Sequence, residues 1–339
     1  MKPATPATRR FLLGGAFAAL AAPALAQGTG RGPGAPWSGG TTPLNLNAMT
    51  ARANAGTVGV ISGGVDGTYV RFAADLAAVL DSDELRIVPV IGKGSIQNIH
   101  DIMLLRGIDI GIVQSDALAF ARRNRLLPGV DHLIQYITKL YDEEIHILAR
   151  SDITSTEQLS GQVVNVDGRG SGTAMTASLV FEALGVQPRV AHDTQDVALT
   201  KLRAGEIAAM MFVAGSPARI FSGVPADSGL RFLPIPATPA LMETYLPSAL
   251  THAAYPALVA DGSEVETIAV GAVMAVYAWP PGTERHRKVA RFVEALQSRF
   301  DEFLRPPRHP KWREVNLAAE VPGWTRFDAR ATPRVTQRY

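Results

Sequence analysis

Two stretches of this chain repeat one pattern, and that repetition limits the fold more than any single motif. Val58-x-x-Ile61-x-Gly63-x-x-x-Gly67-Thr68 lies over Val163-x-x-Val166-x-Gly168-x-x-x-Gly172-Thr173. In each, a short β-branched run meets a glycine-rich turn, and a helical face follows. Tyr69, Phe72, Ala73, Leu76 and Leu80 share one side of the first helix. Further runs alternate in the same way. Leu85–Ile91 and Ile108–Val113 read as strands, and Ser95–Leu105 and Asp116–Arg123 as helices. A second set holds strands at 145–149, 163–166, 190–192 and 208–213, with helices at 172–184, 196–204 and 216–221. Such βαβα alternation predicts an α/β fold whose parallel sheets are covered on both faces. The run Thr267–Tyr277 reads as a long buried strand, and Thr283–Phe303 as an amphipathic helix. The expected architecture is two lobes with discontinuous sequence, residues 56–146 plus 265–339 in one and 147–264 in the other, joined by two crossover strands.

The termini add two expectations. Arg9 and Arg10 precede the apolar stretch Phe11–Leu25, and Ala24-Leu25-Ala26 fits a signal-peptidase site, so residues 1–26 read as a cleaved export signal. The paired arginines leave the general and twin-arginine routes both open. Six glycines between Gly28 and Gly40 make residues 27–55 a flexible leader. Removing Lys2, Arg9 and Arg10, with no acid among residues 1–26, takes the formal charge from +2 to −1. A near-neutral mature chain does not point to nucleic acid. The absence of cysteine excludes a lipidated N-terminal cysteine, disulfides and thiolate metal sites. The expected product is a periplasmic protein without cofactor or metal, and a monomer.

The chemistry falls on turns that end strands. Ser62-Gly63-Gly64-Val65-Asp66-Gly67-Thr68 and Asp167-Gly168-Arg169-Gly170-Ser171-Gly172-Thr173 both open helices. Helix-start N–H groups in such turns favour an anion. In open α/β sheets, ligands collect at this edge. Gly92-Lys93-Gly94-Ser95-Ile96-Gln97-Asn98 is a third such turn, with Ser95 a natural N-cap and Asn98 within reach of the cleft. In Gln114-Ser115-Asp116, Ser115 or Asp116 is placed to cap the next helix and Gln114 to face a ligand. The candidate ligand-binding set is Gly63, Gly64, Thr68, Tyr69, Ser95, Asn98, Gln114, Tyr141, Gly170, Ser171, Gly172, Thr173 and Ser216. These supply neutral donors, which hold a carboxylate without burying a cation. Ser171→Ala is expected to weaken binding and leave folding nearly unaffected. Glu144 and His146 share a strand face, as a cleft-facing pair or as a satisfied hydrogen bond at the hinge.

Nucleotide fingerprints are absent, since neither turn reads Gly-x-Gly-x-x-Gly and no Gly-Lys-Ser/Thr ending occurs. No serine has glycine at both −2 and +2, and the seven histidines are scattered, so no catalytic residue is assigned. A secreted hydrolase and a ligand-sensing adaptor of the same fold are the alternatives.

The segments Ser62–Tyr69, Gly94–Asn98, Gly111–Asp116, Leu140–His146 and Gly170–Thr173, in this order, resemble the TAXI class of TRAP-transporter solute receptors. The resemblance covers roughly residues 56–225 and continues more loosely to about 300. It implies a two-lobed, type II periplasmic-binding-protein-like fold with a ligand cleft between lobes. It also implies a small carboxylate ligand, glutamate-like amino acids or dicarboxylates, delivered to TRAP-type membrane transporter subunits. The basic stretch Arg305–Arg313, followed by Pro322-Gly323-Trp324, departs from that class. It reads as a surface wrap anchored by Trp312 and Trp324, or alternatively as a partner-docking surface.

Overall fold

The computed structural model describes residues 55–333; the expected export signal, and the leader up to residue 54, lie outside them. Ten strands are present among the described residues: β1 (Thr57–Ile61), β2 (Arg86–Val90), β3 (Ile110–Gln114), β4 (Ile134–Arg150), β5 (Val163–Asn165), β6 (Arg189–Ala191), β7 (Ala209–Ala214), β8 (Leu230–Phe232), β9 (Leu246–Thr251) and β10 (Glu264–Tyr277). The main helices are α1 (Thr68–Leu80), α2 (Ser95–Leu104), α3 (Ala117–Arg123), α4 (Gly172–Leu184), α5 (Gln195–Arg203) and α6 (Glu284–Ser298).

The strands follow one path, β2-β1-β3-β10-β4-β7-β5-β6, with β8 on β4 and β9 on β10. That path contains the same arrangement twice. In the first half, β2, β1 and β3 are parallel and β10 closes antiparallel on β3. In the second, β6, β5 and β7 are parallel and β4 closes antiparallel on β7. The first half thus receives its antiparallel strand from a distant part of the chain, whereas the second takes the strand that directly precedes β5. The repeat read from Val58 and Val163 corresponds to β1–α1 and β5–α4, which occupy equivalent places.

Burial explains the strand sequences. Every residue of β3 and of β7 is buried, as expected for parallel strands with helices on both faces. On one side of the first half-sheet, Val58, Val60, Ile110 and Ile112 pack against Phe72, Leu76, Phe292 and Leu296 of α1 and α6. On the other, Ile61 and Val113 meet Ile99 and Ile102 of α2. The second half-sheet has two corresponding clusters.

Several elements differ from the sequence reading. β4 starts at Ile134, well before the expected 145, and runs for 17 residues across both halves. Residues 216–221 are not a helix; only Arg219–Ser222 turns helically, after Pro217. The long helix expected at 283–303 breaks at Arg299. The C-terminal segment wraps back onto the first half as far more than surface. Trp312 is fully buried and stacked on Phe72 at 4.3 Å, and its Nε1 donates to Asp75 Oδ2 at 2.9 Å. Trp324 donates to the Ser115 carbonyl at 2.8 Å.

Candidate functional site

The carboxyl ends of the parallel strands and the amino ends of three helices meet at one small cavity. Gly63, Gly64 and Gly67 of the β1–α1 turn, then Thr68 and Tyr69 of α1, form one wall. Lys93, Gly94 and Ser95 lead into α2 beside them, with Gln114 at the end of β3. Asp167, Ser171, Gly172 and Thr173, entering α4, face them from the second half. Glu143 of β4 and Phe212–Val213 of β7 close the remaining sides. The cavity has a volume of about 50 Å³. The first amides of α1, α2 and α4 have no acceptor within their own helices; of these, Gln97 N of α2 is taken by the Gly170 carbonyl and Ala174 N of α4 by Ser171 Oγ.

The two halves touch across the cavity. Gln97 N donates to the Gly170 carbonyl at 3.2 Å, and Gln114 Nε2 to Thr176 Oγ1 at 3.0 Å. Tyr245 OH donates to buried Asp116 Oδ2 at 3.2 Å. At the surface, Arg219–Asp66 and Arg123–Glu182 pair at 3.3 Å each. A Cβ placed on Gly172 would lie 2.0 Å from Gln114 Oε1 and 2.7 Å from Ser95 Oγ. Glycine is required there by the closeness of the opposing wall.

The expected residues divide into those facing the cavity and those holding its walls. Gly63, Gly64, Thr68, Tyr69, Ser95, Gln114, Ser171, Gly172 and Thr173 line it. Asn98, Tyr141, Gly170 and Ser216 do not. Asn98 is consumed by the loops: Nδ2 donates to the Ser62 and Ile112 carbonyls, both at 2.8 Å, and Oδ1 accepts from Gly94 N. Tyr141 lies behind the wall, with its hydroxyl 3.4 Å from Glu143 Oε1. Gly170 bridges to Gln97, and Ser216 N donates to Glu144 Oε2 at 2.6 Å.

The helix caps differ in part from the sequence reading. Gly94, at φ 98°, takes the cap position of α2, so Ser95 lies inside the helix. Its hydroxyl donates to Gln114 Oε1 at 2.8 Å and accepts from Gln114 N at 3.0 Å. Gln114, bonded to Ser95 and Thr176, is therefore not free as the sequence suggested. Asp116 occupies the cap of α3 but turns its carboxyl to Tyr245, and burial raises its pKa to about 7. Ser171 proves to be the cap of α4, accepting from Ala174 N at 3.1 Å.

Glu144 and His146 form satisfied hydrogen bonds. Glu144 Oε1 pairs with Lys311 Nζ at 2.8 Å. His146 Nε2 and Tyr255 OH are 2.7 Å apart, and Nδ1 lies 3.2 Å from the Phe212 carbonyl. Burial lowers the His146 pKa to about 4, so the ring is neutral.

Sequence reasoning missed Glu143, Lys93 and Asp167. Glu143 is 2% exposed, and Tyr69 OH donates to its Oε2 at 2.6 Å. Burial is the largest influence on its pKa, raised to about 8. Alternation along β4 puts Glu143 on the face of Tyr141, a signal available once the strand is extended back to Ile134. Asp167 has φ 68°, a left-handed backbone that aspartate tolerates, and burial raises its pKa.

The doubled strand order with two shared crossover strands is the type II periplasmic-binding-protein-like arrangement. Among solved structures, the chain is similar to the arginine-bound form of truncated ArgBP from T. maritima, at 14% identity and TM-score 0.43, covering 75% of this chain and 99% of that one. It is similar to the alkanesulfonate-binding protein SsuA from Xanthomonas axonopodis pv. citri bound to MOPS, at 16% identity and TM-score 0.44, covering 75% of each chain. It also matches the reduced OxyR regulatory domain from Pseudomonas aeruginosa, at 13% identity and TM-score 0.41, over 71% of this chain and 96% of that one. A sequence-family model described as the NMT1-like family matches residues 60–282. With well over half of its length in that match, the chain belongs to the NMT1-like family.

Proposed function

We propose that this protein is an extracytoplasmic solute receptor of the TAXI class. It captures a small carboxylate between two lobes and delivers it to a TRAP-type membrane transporter. The observation that carries the reading is the convergence of three helix starts, α1, α2 and α4, on one cavity floored by buried side chains. Their N–H groups favour an anion, each helix contributing on the order of 0.3–1 kcal/mol through its dipole. Lys93 adds a cation at the same turn. In this reading the site binds and releases its ligand unchanged.

The lobes are residues 56–146 plus 265–339, and 147–264. This partition is supported by the pairing of β4, which leaves β10 for β7 at Glu144. The ligand closes the lobes by contacting both at once, so its better contacts in the closed form set the equilibrium.

Thermal melting of the protein with a panel of small mono- and dicarboxylates, glutamate included, tests the reading. A ligand at 100 times its dissociation constant stabilises by roughly 2.7 kcal/mol, and the melting point should rise for members of this panel. Stabilisation by sugars, cations or nucleotides alone would overturn it.

A further inference from the structure

We infer that Glu143 recognises an amino group, so that the cavity prefers carboxylates carrying a protonated amine over the same carboxylates without one. The inference rests on the carboxylate reading and names which members of that class the site selects. The cavity has two unlike ends. Helix starts and Lys93 supply positive potential along the walls at Thr68, Ser95 and Gly172. At another side, β4 presents a buried carboxyl with no cation in hydrogen-bond contact. A zwitterion matches both ends; a simple carboxylate matches one.

The groups around Glu143 leave it available. Tyr69 from α1 donates to Oε2 at 2.6 Å, and Tyr141, from its own strand, lies 3.4 Å from Oε1. Both are hydroxyls, and a carboxylate has about four acceptor positions. Lys311, from the C-terminal wrap, already pairs with Glu144 at 2.8 Å and Glu314 at 3.1 Å, so its charge is spent behind the site. Glu144 is the neighbouring acid on β4 and is held by that lysine and by Ser216 N. Asp167, the other acid lining the cavity, sits on the second half, where Gly168 N bonds its Oδ1 at 2.7 Å. An ammonium entering the cavity meets in Glu143 a buried carboxyl held by hydroxyls alone.

The pairing carries a proton. Burial holds Glu143 mostly neutral at pH 7, with its pKa at about 8. An ammonium beside it favours the carboxylate, so an amino ligand binds with release of nearly a full proton from Glu143 to solvent. Affinity for such ligands should rise with pH toward 8, by up to about tenfold per unit, while a ligand lacking the amine gains nothing from ionisation of Glu143.

Calorimetric titration with L-glutamate and with glutarate, which differs by loss of the amino group, decides the matter. At pH 7 glutamate should bind at least about tenfold tighter. Its advantage should widen from pH 6 to 8, and its binding enthalpy should vary with buffer ionisation enthalpy, reporting proton release. In Glu143→Gln the ratio of the two affinities should fall to about twofold or less, because the amide offers the ammonium no charge. Equal binding of the two ligands, or an unchanged ratio in Glu143→Gln, overturns the role of Glu143 and leaves the carboxylate reading standing. Failure of both ligands and of every other small carboxylate to bind removes the carboxylate reading, and this inference with it. Should Glu143→Gln not fold, the pH dependence and proton release of the unaltered protein decide alone.

Discussion

Ser171 spends its hydroxyl on its own helix. A lone pair accepts from Ala174 N at 3.1 Å to cap α4. Losing a serine cap costs about 1 kcal/mol. Ser171→Ala should therefore lower the melting point of the ligand-free protein by about 2–4 °C, measurable by differential scanning calorimetry. A melting point unchanged by the substitution would restore the sequence-based expectation that this serine serves the ligand alone. Ser95 shows the same principle differently: because glycine takes the cap, its hydroxyl is released to fix the amide of Gln114. Hydroxyl and amide side chains near helix starts were correctly located in the sequence. What each one bonds depends on the opposing half of the molecule, which no local pattern records.

At the level of elements, the entry of α4 against the entry of α2 decides whether the cavity closes. Gly172 has ordinary helical backbone, so alanine is tolerated by α4 itself, but its Cβ would strike Gln114 Oε1, which Ser95 and Thr176 hold in place. Gly172→Ala should weaken carboxylate binding about tenfold or more, a loss of at least about 1.4 kcal/mol. The ligand-free melting point should stay within a few degrees; titration and melting of the same sample check both. Equal affinity in the variant would show that the halves need not approach this closely. The βα units were legible because a buried parallel strand, a glycine turn and an amphipathic helix each leave a local signature, and the spacing of Val58 and Val163 even revealed their doubling. The first half of β4 was not. Its residues Lys139, Asp142 and Glu143 break the apolar pattern; Lys139 and Asp142 pair with each other, and Glu143 accepts from Tyr69 of α1. Missing that half-strand hid Glu143, the most deeply buried acid of the cavity. β8 and β9 pair only with the long strands and carry too few apolar residues to announce themselves.

Across the whole molecule, four buried groups set how stability follows pH. Glu143 and Asp116 are raised by burial to about 8 and about 7, so the folded state holds their protons more tightly than the unfolded chain. Their contribution is present at acid pH and lost as pH rises through those values. His146 and His309 are lowered by burial to about 4. Their contribution is present above the ordinary histidine value of 6.5 and lost as pH falls toward 4. Between about pH 4.5 and 6.5 the two pairs oppose each other, and the melting point should be nearly flat. From 6.5 to 8 only the acids still change, and stability should drop by on the order of 2 kcal/mol. Melting curves at half-unit pH intervals check this, and Glu143→Gln should flatten the alkaline side; a melting point rising from 6.5 to 8 would contradict the assignment. The shared strands also govern the order in which the protein can assemble. β3 ends at Gln114, yet its neighbour on the open side is Ala272–Val276 of β10. On a ribosome, where folding proceeds from the N-terminus, β1, β2 and β3 emerge with one edge bare and wait for nearly half of the chain. Trp312, which fills the core beneath Phe72, arrives later still. The nascent first half therefore carries an exposed strand edge and an unfilled core throughout synthesis, a state that invites chaperone capture and becomes a closed sheet only when the last crossover strand returns.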